Sequence, residues 1–147
     1  MKTCDLYNKT RARKYCLRRI ENNDRKEPVP VDEYSIEHVM PQNESLSEAW
    51  KKDLGPDWKR IQEKWLHTLG NLTLTAYNSE YSDKPFHDKR DNEKGFEMSP
   101  LLLNQDLGRR DVWNEETIKD RAEILAQMAI RVWGGISLSE DIIAQYL

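Results

Sequence analysis

Apolar residues recur at helical spacing through most of this chain and alternate in one short stretch. Ala12, Cys16 and Ile20 lie four residues apart with Leu17 beside them, which predicts an amphipathic helix over residues 8–22. Asn22, Asn23 and Asp24 are turn formers that end it. Residues 25–32, RKEPVPVD, carry two prolines and read as a connector. Residues 34–42, YSIEHVMPQ, read as a short strand stopped at Pro41, which has no N–H to give a ladder. Ser45 with Glu48 forms a capping-box pattern ahead of Leu46, Ala49, Trp50 and Leu54, and Gly55-Pro56 breaks that helix. Asp57 is placed to cap a further helix with the stripe Trp58, Ile61, Trp65 and Leu69, and Gly70 fits the position just past its end.

Residues 71–76, NLTLTA, alternate. Leu72, Leu74 and Ala76 face one way, Thr73 and Thr75 the other, as in a half-buried strand. Residues 82–85, SDKP, resemble a helix start with proline in the first turn, and 86–92 would be that short helix. A loop over 95–100 and an apolar segment of open type over 101–107 follow. Asn114 is a good cap, Glu115 and Glu116 suit the positive end of a helix dipole, and Ile118, Ala122, Leu125, Ala126, Ala129 and Trp133 mark the longest helix. Gly134-Gly135 stops it, and Ser137 or Ser139 would cap a last short helix to Tyr146. No internal repeat, glycine-rich phosphate loop or low-complexity tract is present.

The 147 residues are most simply one domain, long enough to bury a core. One third of them are charged, the mean hydropathy is -0.89, and no run of about 18 apolar residues exists, so no membrane-spanning helix is expected. The first residues lack the apolar core of a secretory signal. Cys4 and Cys16 form no CxxC pair, which argues against a zinc knuckle and for reduced thiols in the cytoplasm. The net charge of -3 is not the footprint of bulk electrostatic binding to nucleic acid. The cations are nevertheless clustered, at Lys9, Arg11, Arg13, Lys14, Arg18 and Arg19 and again at Lys84, Lys89, Arg90 and Lys94. Either group could meet phosphates, and either could equally be a solvated helix face.

The densest chemistry lies in YSIEHVMPQ. Neighbouring side chains of a strand point to opposite faces, so Glu37 and His38 can serve one site only where the strand ends. A carboxylate beside an imidazole suits metal-assisted hydrolysis: the carboxylate holds a hard cation and the imidazole takes a proton from water. Alone, such a pair is most often an ordinary hydrogen-bonded histidine. The stretch over residues 70–90 changes that balance.

The order is strand with Glu-His, helical insertion, strand NLTLTA, then Asn78 leading into a lysine-bearing helix. It resembles the ββα-metal fold of HNH endonucleases. The pattern EHVMPQ…LHTLGNLTLTAYNSEYSDKPFHDKR is similar to the C-terminal HNH domain of GmrSD-type modification-dependent restriction enzymes, over about residues 12–133. The resemblance implies an α+β fold with a small antiparallel two-stranded sheet in a mainly helical domain. Its motif core would span 34–92, with helical framework at 8–22 and 114–134, and the whole would be the C-terminal part of a larger protein.

On the same resemblance, His38 is the general base, and Glu37 and Asn78 are ligands to one Mg²⁺ or Mn²⁺ ion. Asn71 braces the two strands and orients the imidazole, while Lys84 and Lys89 are cations near the scissile phosphate. An asparagine rather than a histidine at position 78 favours a hard cation over Zn²⁺. His87 is the runner-up for the third motif position, and His67 has a structural role by default. The implied activity is cleavage or nicking of double-stranded DNA in defence against modified foreign or phage DNA, working with an N-terminal NTP-hydrolysing DNA-sensing domain or subunit. The rival expectation is a non-catalytic DNA-binding or assembly module with a vestigial site. A further reading keeps the chemistry with RNA as substrate.

Overall fold

The computed structural model describes residues 2–134, so the helix expected near Tyr146 lies outside the described residues. Helix α1 (Thr10–Asn22) is followed by strand β1 (Ser35–His38), helices α2 (Glu48–Leu54) and α3 (Trp58–Trp65), and strand β2 (Leu72–Thr75). Short helices α4 (Asn78–Tyr81), α5 (Phe86–Asp91) and α6 (Leu102–Gly108) lead to the long α7 (Glu115–Trp133). The class is α+β and mainly helical, with β1 and β2 antiparallel in the register Glu37 with Thr73 and His38 with Leu72.

Two apolar clusters hold these elements together. Val39, Met40, Trp50, Ile61, Trp65 and Trp113 belong to the first, which packs α2, α3 and α5 against the start of α7. Leu17, Ile20, Leu72, Leu74, Leu103 and Leu125 belong to the second, which packs α1, α6 and the middle of α7 on β2. Each fully buried side chain of this size contributes about 1.5–3 kcal/mol.

Several local expectations change. Strand β2 is buried on both faces, not one, because α6 covers the threonine side: Thr73 Oγ1 donates to Asn104 Oδ1, and Asn104 Nδ2 donates to Leu74 O at 3.0 Å. Ser47 rather than Ser45 caps α2, because Asn43 Oδ1 accepts from Ser45 N and keeps that residue in a turn. Asp57 stands at the start of α3 without a capping hydrogen bond. Gly70 is no helix terminator. It lies in a short 3₁₀ turn, Leu69–Asn71, where a Cβ would come within 2.7 Å of Ile118 O and 3.0 Å of Ala122 Cβ on α7.

The apolar segment over 101–107 is helix α6, and its cap comes from a distance. Glu21, fully buried on α1, accepts from Leu102 N and Leu103 N, both at 2.9 Å. The negative carboxylate also suits the positive end of the helix. Arg121 of α7 is fully buried and donates to Gly70 O at 2.8 Å, Leu72 O at 2.9 Å and Leu103 O at 3.0 Å. One guanidinium thus satisfies carbonyls of β2, the turn before it and α6.

Helix α7 starts with the expected cap, Asn114 Oδ1 accepting from Thr117 N, and Thr117 Oγ1 completes the box by accepting from Asn114 N. Glu115 latches α3 to this end. It receives a bidentate pair from Arg60 at 3.1 and 2.8 Å and Trp65 Nε1 at 2.9 Å. Arg60 and Trp65 together hold its carboxyl down at about 2, against an ordinary 4.5. A carboxyl lowered on folding stabilises above its unfolded value, and that stabilisation disappears as pH falls through the folded one. The urea midpoint of wild type should therefore exceed that of Glu115→Gln by a constant margin above pH 5. The margin should shrink between pH 4.5 and 2, and one that does not change with pH would remove the latch.

Candidate active site

Strand β1 ends at His38, and the main chain leaves the ladder after one more bond, Val39 N to Asn71 O at 3.0 Å. At that end Glu37 and His38 both line one solvent-open cavity of about 170 Å³, with Tyr7, Gln42, Asn78 and Asp83. Glu37 is 4% and His38 5% exposed. The strand end thus brings together two side chains that a continuing strand would separate.

His38 Nε2 lies 3.1 Å from Nδ1 of His67, which follows α3. Tyr7 packs against both rings, edge-on to His38 at 4.4 Å and stacked on His67 at 5.2 Å. Arg13 of α1 stands over the Tyr7 ring at 4.6 Å. Burial, with further contributions from His67, Lys89 and Arg13, pushes the His38 imidazole down to about 3. It is therefore neutral at neutral pH.

Glu37 meets a charge that the expected arrangement places elsewhere. Lys89 of α5 is fully buried rather than facing solvent, and its ammonium donates to Glu37 Oε1 at 2.6 Å and to the carbonyls of His38 and Val39, both at 3.1 Å. Three acceptors satisfy its three donors. Burial pushes the Glu37 carboxyl up and the Lys89 amine down, and the opposite charge of each pulls the other back. The second Glu37 oxygen has no protein donor among the described residues.

Asn71 is fully buried and ties the end of β1 to its surroundings. Its Nδ2 donates to Met40 O and Leu66 O, both at 3.0 Å, and its Oδ1 accepts from Met40 N at 2.8 Å and Trp113 Nε1 at 3.2 Å. It braces the backbone beside His38 and does not touch the imidazole, which lies against His67 instead. Asn78 is exposed at the first turn of α4 and lines the cavity. Lys84 is exposed and away from the cavity lining, with its carbonyl accepting from Trp50 Nε1. His87 is also exposed and packs beside Phe86 rather than toward Glu37.

Three lining residues escape the sequence reading. Tyr7 belongs to no periodic pattern, and long-range contacts, among them its backbone bond to His67 O at 3.2 Å, bring it to the site. Gln42 follows the strand-stopping proline without a signal of its own. Asp83 reads first as a helix-start residue, yet its carboxylate accepts from Asn43 at 2.9 Å and the residue lines the cavity.

Among the described residues no cluster of three His, Cys, Asp or Glu side chains could enclose a metal ion. The lining residues that carry side-chain oxygens without a hydrogen atom on them include Glu37, whose second oxygen has no protein donor among the described residues, Asn78 and Asp83. That oxygen set fits Mg²⁺ or Mn²⁺, since Mg²⁺ takes few protein ligands and keeps several waters.

Residues 2–128 match the family model described as the C-terminal domain of GmrSD restriction endonucleases. No match is found among curated proteins or among solved structures. No helix among the described residues is long and apolar enough to cross a membrane.

The Glu37–Lys89 pair makes a stability prediction. Lys89→Met leaves a buried carboxyl without its counter-charge and should cost about 3–5 kcal/mol. Adding Glu37→Gln should recover most of that loss, measured as urea-unfolding free energies in a double-mutant cycle. Additive single effects would mean the pair is not coupled.

Proposed function

The chain belongs to the family of GmrSD restriction-endonuclease C-terminal domains, and on that premise we propose that it is an HNH endonuclease hydrolysing DNA phosphodiester bonds with one Mg²⁺ or Mn²⁺ ion. The observation that carries this reading is the convergence of Glu37, His38 and Asn78, from two separate segments, on one cavity. His38 is the general base. Its neutral imidazole takes a proton from water as the water oxygen bonds to phosphorus and the bond to the leaving oxygen breaks. Such assistance is typically worth about 10²–10⁴-fold. Glu37 and Asn78 hold the cation, with Asp83 beside them as a further oxygen donor.

When bound, the cation polarises the phosphate and offsets charge on the leaving oxygen. Lys89 fixes the rotamer of Glu37 from behind, so that one oxygen stays turned to the cavity. Asn71 holds the strand end, and with it the spacing between carboxylate and imidazole. Lys84 and the basic residues of α1 are contacts for the DNA backbone away from the reacting atoms.

The substrate we propose is double-stranded DNA, modified and foreign, cut or nicked in the cytoplasm. The acidic chain gives little bulk attraction for DNA. An N-terminal NTP-hydrolysing, DNA-sensing domain or subunit would supply recognition.

A supercoiled-plasmid assay tests the reading. Nicking should require Mg²⁺ or Mn²⁺ and stop with chelator. His38→Ala should lower the rate by at least about 10², with an unchanged circular-dichroism spectrum. Asn78→Ala should raise the Mn²⁺ concentration needed for half-maximal rate. Undiminished nicking by His38→Ala would exclude it as the base, and DNA binding without cleavage at any metal concentration would make the chain a non-catalytic module. Cleavage of structured RNA in preference to plasmid would reassign the substrate.

A further inference from the structure

His67 has no assigned part in this chemistry, yet it is the only described side chain that hydrogen-bonds the His38 ring. The two nitrogens, His38 Nε2 and His67 Nδ1, are 3.1 Å apart. Two lone pairs facing each other at that distance would repel, so one of the two rings carries its proton there. The other nitrogen of His38, Nδ1, has no protein partner among the described residues, and the ring lines the cavity while His67 does not. A base acting on water in the cavity needs its lone pair on Nδ1. The proton must then sit on Nε2, where His67 receives it.

We propose that His67 is a positioning residue that holds His38 in the Nε2–H tautomer and leaves Nδ1 as the proton acceptor. The inference rests on the reading of His38 as the base.

The placement of His67 is itself fixed on three sides. Its carbonyl accepts from Leu6 N at 2.9 Å and Tyr7 N at 3.2 Å, its ring stacks on Tyr7 at an interplanar angle of 12°, and its chain position follows directly on α3. Tyr7 also meets the His38 ring edge-on, so the same aromatic ring limits rotation of both imidazoles. With Nδ1 turned to His38, the far nitrogen of the half-buried His67 carries its own proton and can give it to water. A hydrogen bond through the second nitrogen is the general means by which proteins select a histidine tautomer.

The test has one spectroscopic arm and one kinetic arm, both on the full chain. In ¹⁵N-labelled wild type at neutral pH, ring ¹⁵N shifts and couplings should show His38 protonated on Nε2 and bare on Nδ1. His67→Leu should give a mixture of the two tautomers and lower Mn²⁺-dependent plasmid nicking by about tenfold, the weight of one neutral hydrogen bond. His67→Asn places an amide oxygen close to where Nδ1 stood, and it should restore both the tautomer and most of the rate.

A wild-type His38 protonated on Nδ1 overturns the proposal without any variant. So does a His67→Leu protein that nicks at the wild-type rate while His38→Ala is inactive. Failure of the underlying reading looks different: wild type then cleaves at no metal concentration, or His38→Ala nicks as well as wild type, whatever the tautomer.

Discussion

A single buried carboxamide decides where the chemistry of this chain can sit. Asn71 uses both amide protons and accepts twice at its oxygen, and its four bonds go to three different places: Met40, two residues beyond β1, Leu66 just after α3, and Trp113 ahead of α7. Its own carbonyl takes the last bond of the β1 ladder, from Val39 N. The ladder therefore stops one bond after His38, and the chain turns away. Without that enforced end, Glu37 and His38 would continue the alternation of the strand and face opposite sides of the sheet. Leaving any of these groups unpaired in the interior would cost about 1–3 kcal/mol each, so the arrangement is strongly specified.

Around that point two different solutions handle polar groups out of water. Glu37 is matched by a lysine that also donates to two backbone carbonyls, which leaves no ammonium proton unpaired. His38 is instead kept neutral and given another neutral ring as its partner. The carboxylate and the imidazole are adjacent in sequence, yet their surroundings treat them as an ion and as an uncharged base. A site that is to bind a cation through one and move a proton through the other needs that separation.

Much of this was legible in the chain itself. The stripes of α1 and α7, the Asn114 cap, the two strands and the Gly55-Pro56 break all follow from spacing and local backbone chemistry, and the structure has them within a residue or two, whereas α3 ends at Trp65, four residues short of Leu69. The positions of Glu37 and Asn78 on one cavity follow from the order of the motifs. What sequence spacing missed was set by long-range contacts. Lys89 looks solvent-facing because lysine usually is, and only the depth at which α5 packs against β1 reverses this. Tyr7 and Glu21 act on segments far along the chain from them, on His67 and on the start of α6, and no local pattern carries such information. The double burial of β2 likewise depends on α6, which short apolar segments do not distinguish from a strand.

The bare backbone of Gly70 has a wider reach than its size suggests. Its neighbours on α7 stand at distances that leave no room for even one more carbon, and Arg121 bonds the carbonyl of Gly70 itself and that of Leu72 just past the same turn. The gap between the long helix and the sheet is therefore gauged by a missing side chain. A methyl group inserted there would act as a wedge whose displacement travels in both directions, outward to the helix and inward to the very next residue, Asn71, the anchor at the end of β1.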